Sequence, residues 1–597
     1  MTEAMPARRA PADDAAAGIE AINAFPAGTE SADRLMHALE GRWTNGLSPS
    51  SLILAYLDWA VHLSNAPGKV LELVHNAMAK GFRFLLYASG GVGGEGAQPF
   101  ITPLPQDVRF SGDGWQRFPY NLFSQTFLLS EQWWHYATSN VRGVSPHHQD
   151  VVGFTARQIL DLVSPSNFPL TNPEVVRATR EEGGDNLLRG ARKFLDDLGR
   201  AVAGLAPEGP GDYQPGINLA CTPGKVVFRN RLIELIQYAP TTATVAAEPV
   251  LFVPAWIMKY YILDLSPHNS MVRYLLSRGH TVFMISWRNP GPAERNIGMD
   301  DYLRMGVMES LSAIGAICPD RQVHGVGYCL GGTLLSIAAA AMARDGDQRL
   351  KTATLLAAQT DFTEAGEIML FIDESQVTFL EDIMWDQGYL DTRQMAGAFQ
   401  MLRPYDLIWS RLVKEYLLGQ AEHPNDLMAW NADATRMPAR MHSQYLRHLF
   451  LDNQLSKGHY LVYGRPVALT DIRVPLCVVA TRTDHVAPWQ SVFKIGLLAD
   501  TEITYILTSG GHNAGIVSEP GHPHRSYRMS THREVERYVD PDTWLRITAL
   551  QDGSWWPAWA DWLGAHSSGQ QEPPPLGLPE GPYRAIYDAP GDYVKMP

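Results

Sequence analysis

The stretch RQVHGVGYCLGGTLLSIAAAAMA (Arg321–Ala343) decides the fold, because it joins a strand-like run to a helix-like run through a glycine-rich turn. At its centre, GYCLG (Gly327–Gly331) places a glycine two residues before and two residues after Cys329. So tight a turn between a strand and a helix needs glycine at those positions, and it lifts a nucleophile above the sheet edge. The N-terminus of the helix also favours a thiolate and an oxyanion. We interpret Cys329 as a nucleophile; the alternative is a buried structural cysteine.

Short apolar runs rich in Val, Ile and Thr surround this stretch, and several are separated by amphipathic helical segments. A buried parallel sheet with crossover helices produces such an alternation. The predicted strands are PVLFVPA (Pro249–Ala255), HTVFMISW (His280–Trp287), RQVHGVGYC (Arg321–Cys329), LKTATLLAAQ (Leu350–Gln359), VPLCVVAT (Val474–Thr481) and TEITYILT (Thr501–Thr508). Together with the turn around Cys329, this pattern predicts the α/β class and, within it, the α/β-hydrolase fold.

The first third of the chain has a different texture. Residues 1–30 are polar and lack an apolar core, so we expect a disordered N-terminus and no signal or transit peptide. Residues 31–205 repeat apolar side chains at helical spacing, as in LILAYLDWAVHL, which predicts a mainly helical N-terminal domain. The segment LAPEGPGDYQPG (Leu205–Gly216) cannot continue a helix, and we place the domain boundary there.

The predicted catalytic domain, residues 217–566, contains one interval in which strands and helices no longer alternate. Between about residues 361 and 455, helical and aromatic segments such as QYLRHLFLDNQL replace the strands. A helical cap inserted over the sheet explains this interval and would cover whatever lies at the strand ends. The C-terminal tail, residues 567–597, is rich in Pro, Gly and Gln, and we expect it to lie extended.

An acid and a base follow the nucleophile in this fold, in the order nucleophile, Asp, His. Asp484 follows the predicted strand VPLCVVAT, and His512 follows the predicted strand TEITYILT. We predict that His512 takes the proton of Cys329, while Asp484 orients the imidazole and stabilises its cation. His485 is a rival base, but the fold places the base after the last strand. The structural alternative is a surface histidine and a turn-forming aspartate.

Acyl transfer also requires backbone N–H groups that stabilise the oxyanion. The amide of Leu330, directly after the nucleophile, is one expected donor. The second donor should come from the loop that follows PVLFVPA. Because Pro254 has no N–H, Ala255 or Trp256 is the expected residue, and we choose Trp256.

Composition and charge exclude several classes of function. A net charge of −14, a pI near 5.7 and the absence of a long Lys/Arg run argue against nucleic acid as a partner. Four cysteines without a CxxC pair fit a reducing cytoplasm rather than a disulfide framework or a zinc site. No phosphate loop or dinucleotide fingerprint occurs, so we expect neither a cofactor nor a metal. The uncharged run Gly325–Ala343 suits a strand, a turn and a buried helix, not a transmembrane segment.

A cysteine nucleophile suits one kind of acyl donor in particular. When a thiol attacks an acyl-CoA, one thioester replaces another, and the acyl group keeps its activation. Transfer from the thiol to an alcohol then runs downhill to an ester, whereas serine would lose that driving force at the first step. The residue type therefore favours thioester-to-ester transfer, although cysteine hydrolases can use the same scaffold.

From these residues outward, the chain resembles the class I polyhydroxyalkanoate synthases over nearly the whole catalytic domain and much of the helical N-terminal third. The family often has Pro-Cys-Ile-Asn before Lys-Tyr-Tyr, whereas here Trp256 and Met258 occupy the variable places. Apart from the loops of Asp484 and His512, the segments that carry the resemblance are SPSNFPLTNPE, KYYILDL, GHTVFMISWRNP, GYCLGGT, LRPYDLIW, AWNADATRMP, YLRHLFLDNQL, GSWWPAWADWL and YRAIYDAPGDYVK.

The resemblance implies a catalytic triad of Cys329, His512 and Asp484 that polymerises (R)-3-hydroxyacyl-CoA into polyester and releases CoA. It also implies that Asp484 helps to activate the incoming hydroxyl through the histidine. Members of the family work as homodimers on the surface of polymer granules in the cytoplasm. We therefore expect the CoA thioester, the growing polyester, a second subunit and a granule surface as partners.

Two further residues are predicted to contact substrate. Arg403 in LRPYD and Trp430 in AWNADAT could shape the substrate channel or meet CoA phosphates, since a guanidinium suits phosphate. The alternative for both, and for Asp433 beside Trp430, is packing of the cap and an internal ion pair. Two rival functions stay open as well: a cysteine-type thioesterase or polyester depolymerase that admits water, and a non-catalytic granule-binding protein.

Overall fold

The computed structural model describes residues 29–91, 99–104, 107–203, 213–392, 394–395, 409–420, 424–533 and 536–597. Residues 1–28 of the expected disordered N-terminus fall outside these ranges. The first described part is helical, and a large sheet with flanking helices follows from residue 224 onward.

A mixed sheet of eleven strands organises the described residues of the second part, in the order β10-β9-β8-β7-β6-β5-β3-β4-β2-β1-β11. Neighbours from β4 to β8 run parallel, whereas β2 is antiparallel to β4 and the remaining strands pair antiparallel at the edges. The strands are β1 (Gly224–Arg229), β2 (Ile233–Tyr238), β3 (Val250–Val253), β4 (Val282–Trp287), β5 (Val323–Tyr328), β6 (Leu350–Leu356), β7 (Leu476–Thr481), β8 (Ile503–Thr508), β9 (Ser526–His532), β10 (Leu550–Asp552) and β11 (Tyr587–Asp588).

The six predicted strands are β3 to β8, and the predicted α/β-hydrolase fold is confirmed. Strands β1 and β2 and the added edge strands were not predicted from the sequence. In β2 (IELIQY), the apolar run is interrupted by Glu234 and Gln237, which are nonetheless fully buried. The carboxylate of Glu234 accepts hydrogen bonds from the Tyr587 hydroxyl and the Tyr593 backbone N–H, so this polar residue holds the C-terminal segment against the sheet.

Seven helices precede the sheet within the described residues. Their apolar faces meet in small clusters, such as the one around Trp115, and a buried Arg109 binds the carboxylates of Asp107, Glu131 and Asp161. The helices are α1 (Thr29–Trp43), α2 (Pro49–Ser64), α3 (Pro67–Gly91), α4 (Tyr120–Thr138), α5 (Pro146–Leu162), α6 (Pro173–Glu181) and α7 (Asp185–Val202).

The helices of the second part pack on the sheet or form the cap, and the interval between β6 and β7 is mainly helical where it is described. Two of its helices, α12 and α14, line the cavity at the carboxyl edge of the sheet, and α13 is bonded through Trp430 to the segment after β3. The helices are α8 (Met271–Ser277), α9 (Met299–Asp301), α10 (Glu309–Ile317), α11 (Leu330–Asp345), α12 (Glu374–Gln387), α13 (Asp426–Ala432), α14 (Ala439–Gln444), α15 (Trp489–Phe493), α16 (Ile495–Leu498), α17 (Pro541–Ile547) and α18 (Trp556–Ala565).

Short elements complete the fold. The 3₁₀ turns are Asp113–Gln116, Pro165–Asn167, Tyr260–Leu263, Pro292–Glu294, Glu367–Phe371, Leu469–Asp471 and Tyr593–Lys595, and the π-helical turns are Tyr302–Met308, Leu412–Leu417 and Tyr445–Leu451. The small strand pairs are Val245–Ala246 with Gln570–Gln571, Tyr389–Leu390 with Met437–Pro438, and Tyr460–Val462 with Arg465–Val467. Among the described helices, none combines the length and apolar character that crossing a bilayer requires.

The backbone is very closely packed at the junction of β5 and α11. A Cβ atom at Gly331 would lie 1.9 Å from the carbonyl oxygen of Val253, and one at Gly327 would lie 2.4 Å from the Cα atom of Gly332. These distances are far below van der Waals contact, so both flanking glycines of the turn are required by sterics. The requirement that the sequence motif predicts for these two glycines is therefore met in the structure.

We expect Gly331→Ala to lower the stability of the protein by about 1–3 kcal/mol, because the added methyl group must displace the end of β3. The matched control is Gly315→Ala in α10, where no atom lies within 4 Å of the added Cβ. That change should be neutral or stabilising by about 0.5–1 kcal/mol, as is usual in a helix interior. Thermal unfolding of both variants measures the effect, and equal melting temperatures would contradict the steric argument.

Candidate active site

Cys329 occupies the turn between β5 and α11 with backbone angles that L-residues rarely adopt. Its φ is 52° and its ψ is −122°. The turn is fixed on both sides, since the Cys329 N–H donates to the carbonyl oxygen of Leu356 at 2.8 Å and its carbonyl accepts from the Gly332 N–H at 2.8 Å. Strain of this kind persists only where the surrounding structure imposes it. The side chain is thereby presented at the carboxyl edge of the sheet.

Asp484 and His512 meet at the same edge. The Nδ1 atom of His512 lies 2.8 Å from Oδ2 of Asp484, and the Asp484 side chain is fully buried. Asp484 is held by further donors, because its Oδ1 accepts the backbone N–H groups of Val486 and Ala487 at 2.8 Å each. The hydroxyl of Thr481 donates to Oδ2 at 3.0 Å. The carboxylate is therefore saturated with hydrogen bonds and cannot rotate freely.

Electrostatics favours the charged forms of this pair. Burial alone would raise the pKa of Asp484, but the His512 cation and the hydrogen bonds outweigh it and hold that pKa below its usual value. Burial alone would lower the pKa of His512, but the charge of Asp484, then the neighbouring Cys329 sulfur, raise it well above its usual value. His512 is thus suited to receive a proton from the thiol beside it.

Buried aromatic side chains hold the loop that carries His512. The indole N–H groups of Trp555 and Trp556 donate to the carbonyl oxygens of Gly515 and Ile516 at 3.1 and 2.9 Å. Both tryptophans are almost completely buried. The segment GSWWPAWADWL therefore belongs to the core and fixes the backbone of the loop that carries His512. This matches the core alternative that tryptophan at helical spacing usually indicates.

Tyr328 fixes the residue next to the base. Its hydroxyl donates to Oδ1 of Asn513 at 2.6 Å, and its ring lies 5.8 Å from the ring of His512 between centroids. Tyr328 directly precedes Cys329, so one residue contacts both sides of the site. The loop of His512 and the turn of Cys329 are linked through this contact.

An apolar cavity of about 110 Å³ opens at Cys329, and we call it the Cys329 cavity. Its walls come from the strand ends, from the cap and from the loop between α1 and α2. Hydrophobic side chains dominate the walls, so the cavity suits an acyl chain better than a charged group. The lining residues are Asn45, Gly46, Leu47, Ile257, Cys329, Leu330, Thr333, Ala357, Gln359, Phe362, Ile368, Phe371, Ile372, Gln376, Leu380, Leu390, Gln394, Met395, Met437, His442, Tyr445, Leu446, Phe450, Val486 and Ala487.

The predicted oxyanion donors lie at different distances from this cavity. Leu330, the first residue of α11, is part of the cavity wall. In the loop after β3, Ile257 lines the cavity and Trp256 does not. The indole of Trp256 turns into the core, where its ring packs 5.0 Å from Tyr302 and 6.2 Å from Trp287 between centroids. Its bulk therefore does not fill the acyl space. The role of both backbone amides stays a prediction.

Among the described residues, Trp430 and Asp433 do not line the Cys329 cavity. Trp430 is buried and donates from Nε1 to the carbonyl oxygen of Lys259 at 2.7 Å, and Asp433 accepts from the Tyr261 hydroxyl at 2.9 Å. Both residues tie the cap to the segment after β3, which is the packing alternative. Arg403 lies outside the described residues. His512, and not the rival His485, bonds to Asp484.

Sequence reasoning missed two polar residues of the Cys329 cavity. Within the described part of the chain, Nε2 of Gln359 and Nδ1 of His442 are buried without a hydrogen-bond partner. Burial also lowers the pKa of His442 to about 4, so its imidazole is neutral at pH 7. Gln359 lies three residues after the end of β6, and a polar residue shortly after a parallel strand is a signal that could have been used. His442 lies in the cap, where no local pattern marks it.

Comparison with known proteins agrees with both parts of the fold. Residues 106–275 match the family described as Poly-beta-hydroxybutyrate polymerase (PhaC) N-terminus, residues 27–69 match Poly-beta-hydroxybutyrate polymerase N terminal, and residues 248–518 match the alpha/beta hydrolase fold.

Three curated relatives resemble the chain over most of its length. The Poly(3-hydroxyalkanoate) polymerase of Methylorubrum extorquens is 42% identical over 84% of this chain and 82% of its own length. The Poly(3-hydroxyalkanoate) polymerase subunit PhaC of Rhizobium meliloti (strain 1021) is 37% identical over 82% and 80%, respectively. The protein of the same name from Cupriavidus necator is 35% identical and covers 93% of both chains.

The charge of Asp484 gives a prediction for stability as a function of pH. Asp484→Asn keeps an acceptor for His512 but removes the negative charge, and breaking a buried pair costs on the order of 3 kcal/mol. The contribution of Asp484 is complete above its ordinary pKa of about 4 and is lost as the pH falls through its lowered value. That of His512 is complete below about pH 6.5 and is lost as the pH rises through its raised value.

The difference in unfolding free energy between the native chain and Asp484→Asn should therefore be largest between about pH 4 and 6.5, and should narrow on both sides. Urea unfolding across this range measures it. The matched control is Asp561→Asn, which removes an exposed ion pair with Arg278 and should cost less than about 1 kcal/mol. A difference for Asp484→Asn that does not change with pH would contradict the proposed charge pair.

Proposed function

Because the chain belongs to the poly(3-hydroxyalkanoate) polymerase family, we propose that it polymerises (R)-3-hydroxyacyl groups from CoA thioesters into polyester and releases CoA. The observation that carries the proposal is the position of Cys329, a thiol on a strained turn that opens into an apolar cavity under the cap. A thiol at this point accepts an acyl group without loss of its activation. The cavity then holds the acyl chain away from bulk water.

In the first step, the Cys329 sulfur attacks the thioester carbonyl while His512 takes the thiol proton. Since Nδ1 of His512 is bonded to Asp484, Nε2 is the nitrogen left for the thiol. The carbon–sulfur bond to CoA breaks, and His512 returns the proton to the departing CoA thiolate. The product of this step is an acyl group bound to Cys329 through a new thioester.

In the second step, the hydroxyl of another (R)-3-hydroxyacyl group attacks the acyl carbon on Cys329. His512 takes the hydroxyl proton as the new oxygen–carbon bond forms and the bond to sulfur breaks, and the proton then returns to the Cys329 thiolate. Asp484 stabilises the imidazolium in both steps. Repetition of the two steps lengthens the polyester by one unit and releases one CoA each time.

Both steps develop negative charge on a carbonyl oxygen. We propose that the N–H groups of Leu330 and Trp256 stabilise it. Support comes from the position of Leu330 at the start of α11 and in the wall of the cavity, and from the absence of an N–H at Pro254. No bound cofactor or metal is part of the proposal, because the CoA thioester brings the activation.

We further propose that the chain acts as a homodimer on the surface of polyester granules in the cytoplasm. Exposed apolar side chains on α2 and α3 support the granule part. Many large apolar side chains exposed on two consecutive helices are typical of a surface that contacts an apolar partner, and a polyester surface is such a partner. We call these residues the N-terminal apolar face: Ile53, Leu54, Tyr56, Leu57, Val61, Leu71, Val74, Met78, Phe82, Leu85 and Leu86.

Cys329→Ala should reduce CoA release from (R)-3-hydroxybutyryl-CoA by at least about three orders of magnitude, because the covalent step is lost. The control is Cys221→Ala, a half-buried cysteine outside the site, which should keep the native rate. A thiol assay measures CoA, and gel permeation measures the polymer. Unchanged CoA release in Cys329→Ala would refute the nucleophile. Soluble 3-hydroxybutyrate without polymer from the native chain would instead show a cysteine hydrolase.

The N-terminal apolar face can be tested separately. The triple variant Leu71→Ser, Phe82→Ser, Leu85→Ser should bind poly(3-hydroxybutyrate) particles at least about tenfold more weakly, since each side chain loses apolar burial. The control changes three exposed polar residues of the same helix, Glu72→Ser, His75→Ser and Arg83→Ser. Co-sedimentation measures the bound fraction. A variant that binds particles normally but changes its oligomeric state in light scattering would assign this face to the subunit interface instead.

A further inference from the structure

The connection between α1 and α2 forms part of the Cys329 cavity. Asn45, Gly46 and Leu47 all line the same cavity as Cys329, although they belong to the helical region that precedes the sheet. Gly46 is buried, with a φ of 84°, so the chain reverses at this point and turns Leu47 toward the cap. Leu47 is only partly buried and contributes an apolar side chain to the wall. The N-terminal region therefore helps to shape the space in front of the nucleophile.

A buried glutamine of the cap fixes this connection. Nε2 of Gln376 donates to the carbonyl oxygen of Gly46 at 2.6 Å, and its Oε1 accepts from the Ser48 N–H at 2.8 Å. The Gln376 side chain thus pairs with the backbone on both sides of Leu47, in the way a neighbouring strand would. Asp373, the N-cap of α12, adds a hydrogen bond from the Ser51 hydroxyl. Because these contacts are buried, the position of Leu47 is tightly defined.

Helix α1 holds the rest of the connection against α12. A Cβ atom at Gly41 would lie 2.3 Å from Cδ1 of Ile383, so the two helices approach as closely as a glycine allows. At their polar edge, Nδ1 of His37 lies 2.7 Å from Oδ2 of Asp382. Helix α12 also supplies Leu380 to the cavity wall. The loop with Leu47 and the cap helix therefore form one continuous wall.

We propose that Leu47 is a specificity-determining residue that limits the length of the acyl group accepted at Cys329. The inference rests on the proposed acyl transfer and adds a role for the N-terminal region in it. An acyl chain bound to Cys329 extends into the cavity of about 110 Å³ whose wall includes Leu47. One methylene in such a pocket changes discrimination by about 10-fold or more. Removing the Leu47 branch should admit longer chains.

The test compares kcat/KM for (R)-3-hydroxyacyl-CoA substrates of four, six and eight carbons, with CoA release as the readout and the full-length chain as the enzyme. Leu47→Ala should raise the ratio of the eight-carbon to the four-carbon substrate by about tenfold or more. Leu47→Phe should lower the same ratio, because the larger ring narrows the cavity. Opposite shifts from the two variants would not arise from general destabilisation, and thermal unfolding verifies that both fold.

The matched control is Trp43→Ala on the neighbouring α1, where the side chain is 92% exposed and its removal should leave the ratio unchanged. If Leu47→Ala does not fold, Leu47→Val tests the same direction with a smaller loss of volume. Native ratios in both folded Leu47 variants overturn the inference. Its failure differs from failure of the proposed function: in the former case the native chain still makes polymer, and in the latter it yields only soluble hydroxyacid.

Discussion

The close contact between the start of α11 and the ends of β3 and β5 is the constraint on which the site depends. Without side chains at Gly327 and Gly331, the helix begins against the backbone of Val253, and Cys329 is forced into its rare conformation. Such a conformation costs about 1–3 kcal/mol. Helix α11 offsets this cost, because nearly all of its residues from Leu330 to Met342 are buried on the sheet. The largest core of the protein thus holds Cys329, the proposed nucleophile, in place.

His512, the proposed base, depends on a different part of that core. His512 lies on a loop, and a loop alone would leave the imidazole free to move. Here the indoles of Trp555 and Trp556 bind the backbone three and four residues further on, and Tyr328 binds Asn513 from the side of the nucleophile. These contacts are buried and directional, so they define the loop more tightly than apolar packing would. The C-terminal aromatic segment therefore positions the loop of His512 through its backbone.

Local sequence patterns predicted the parts of the fold that local physics determines. The strands β3 to β8 are mainly apolar and rich in Val, Ile and Thr, and the turn of Cys329 needs glycines at fixed positions, so both could be recognised from residue types alone. Strand β2 was missed because Glu234 is buried there, and its partners lie more than 350 residues away in sequence. Trp256 was predicted only as a backbone donor to the oxyanion, and nothing in its local sequence indicated that its indole fills the core beside Tyr302. A long-range partner decided the outcome in both cases.

The cavity could not be predicted for the same reason. Its walls join the loop of Leu47, the strand ends, the cap helix α12 and the residues after Asp484, which no periodicity in the sequence connects. The combination of Cys329, Asp484 and His512 was accessible because the fold places each of them after a particular strand. The polar atoms of Gln359 and His442 could not be predicted in this way. They stand out only because they lack a hydrogen-bond partner within the described structure, which the sequence does not show.

One consequence of this arrangement concerns the coupling between substrate and acid. Val486 and Ala487 donate the N–H groups that hold Asp484, and the same two residues line the Cys329 cavity. The carbonyl of His485, next to them, accepts from the N–H of Glu367 at the start of the cap. An acyl group that presses on this wall therefore acts on the backbone that positions the carboxylate. The fit of the acyl chain and the alignment of His512 are therefore set by the same segment. This link matters because a small displacement of an orienting group can lower the rate by a large factor.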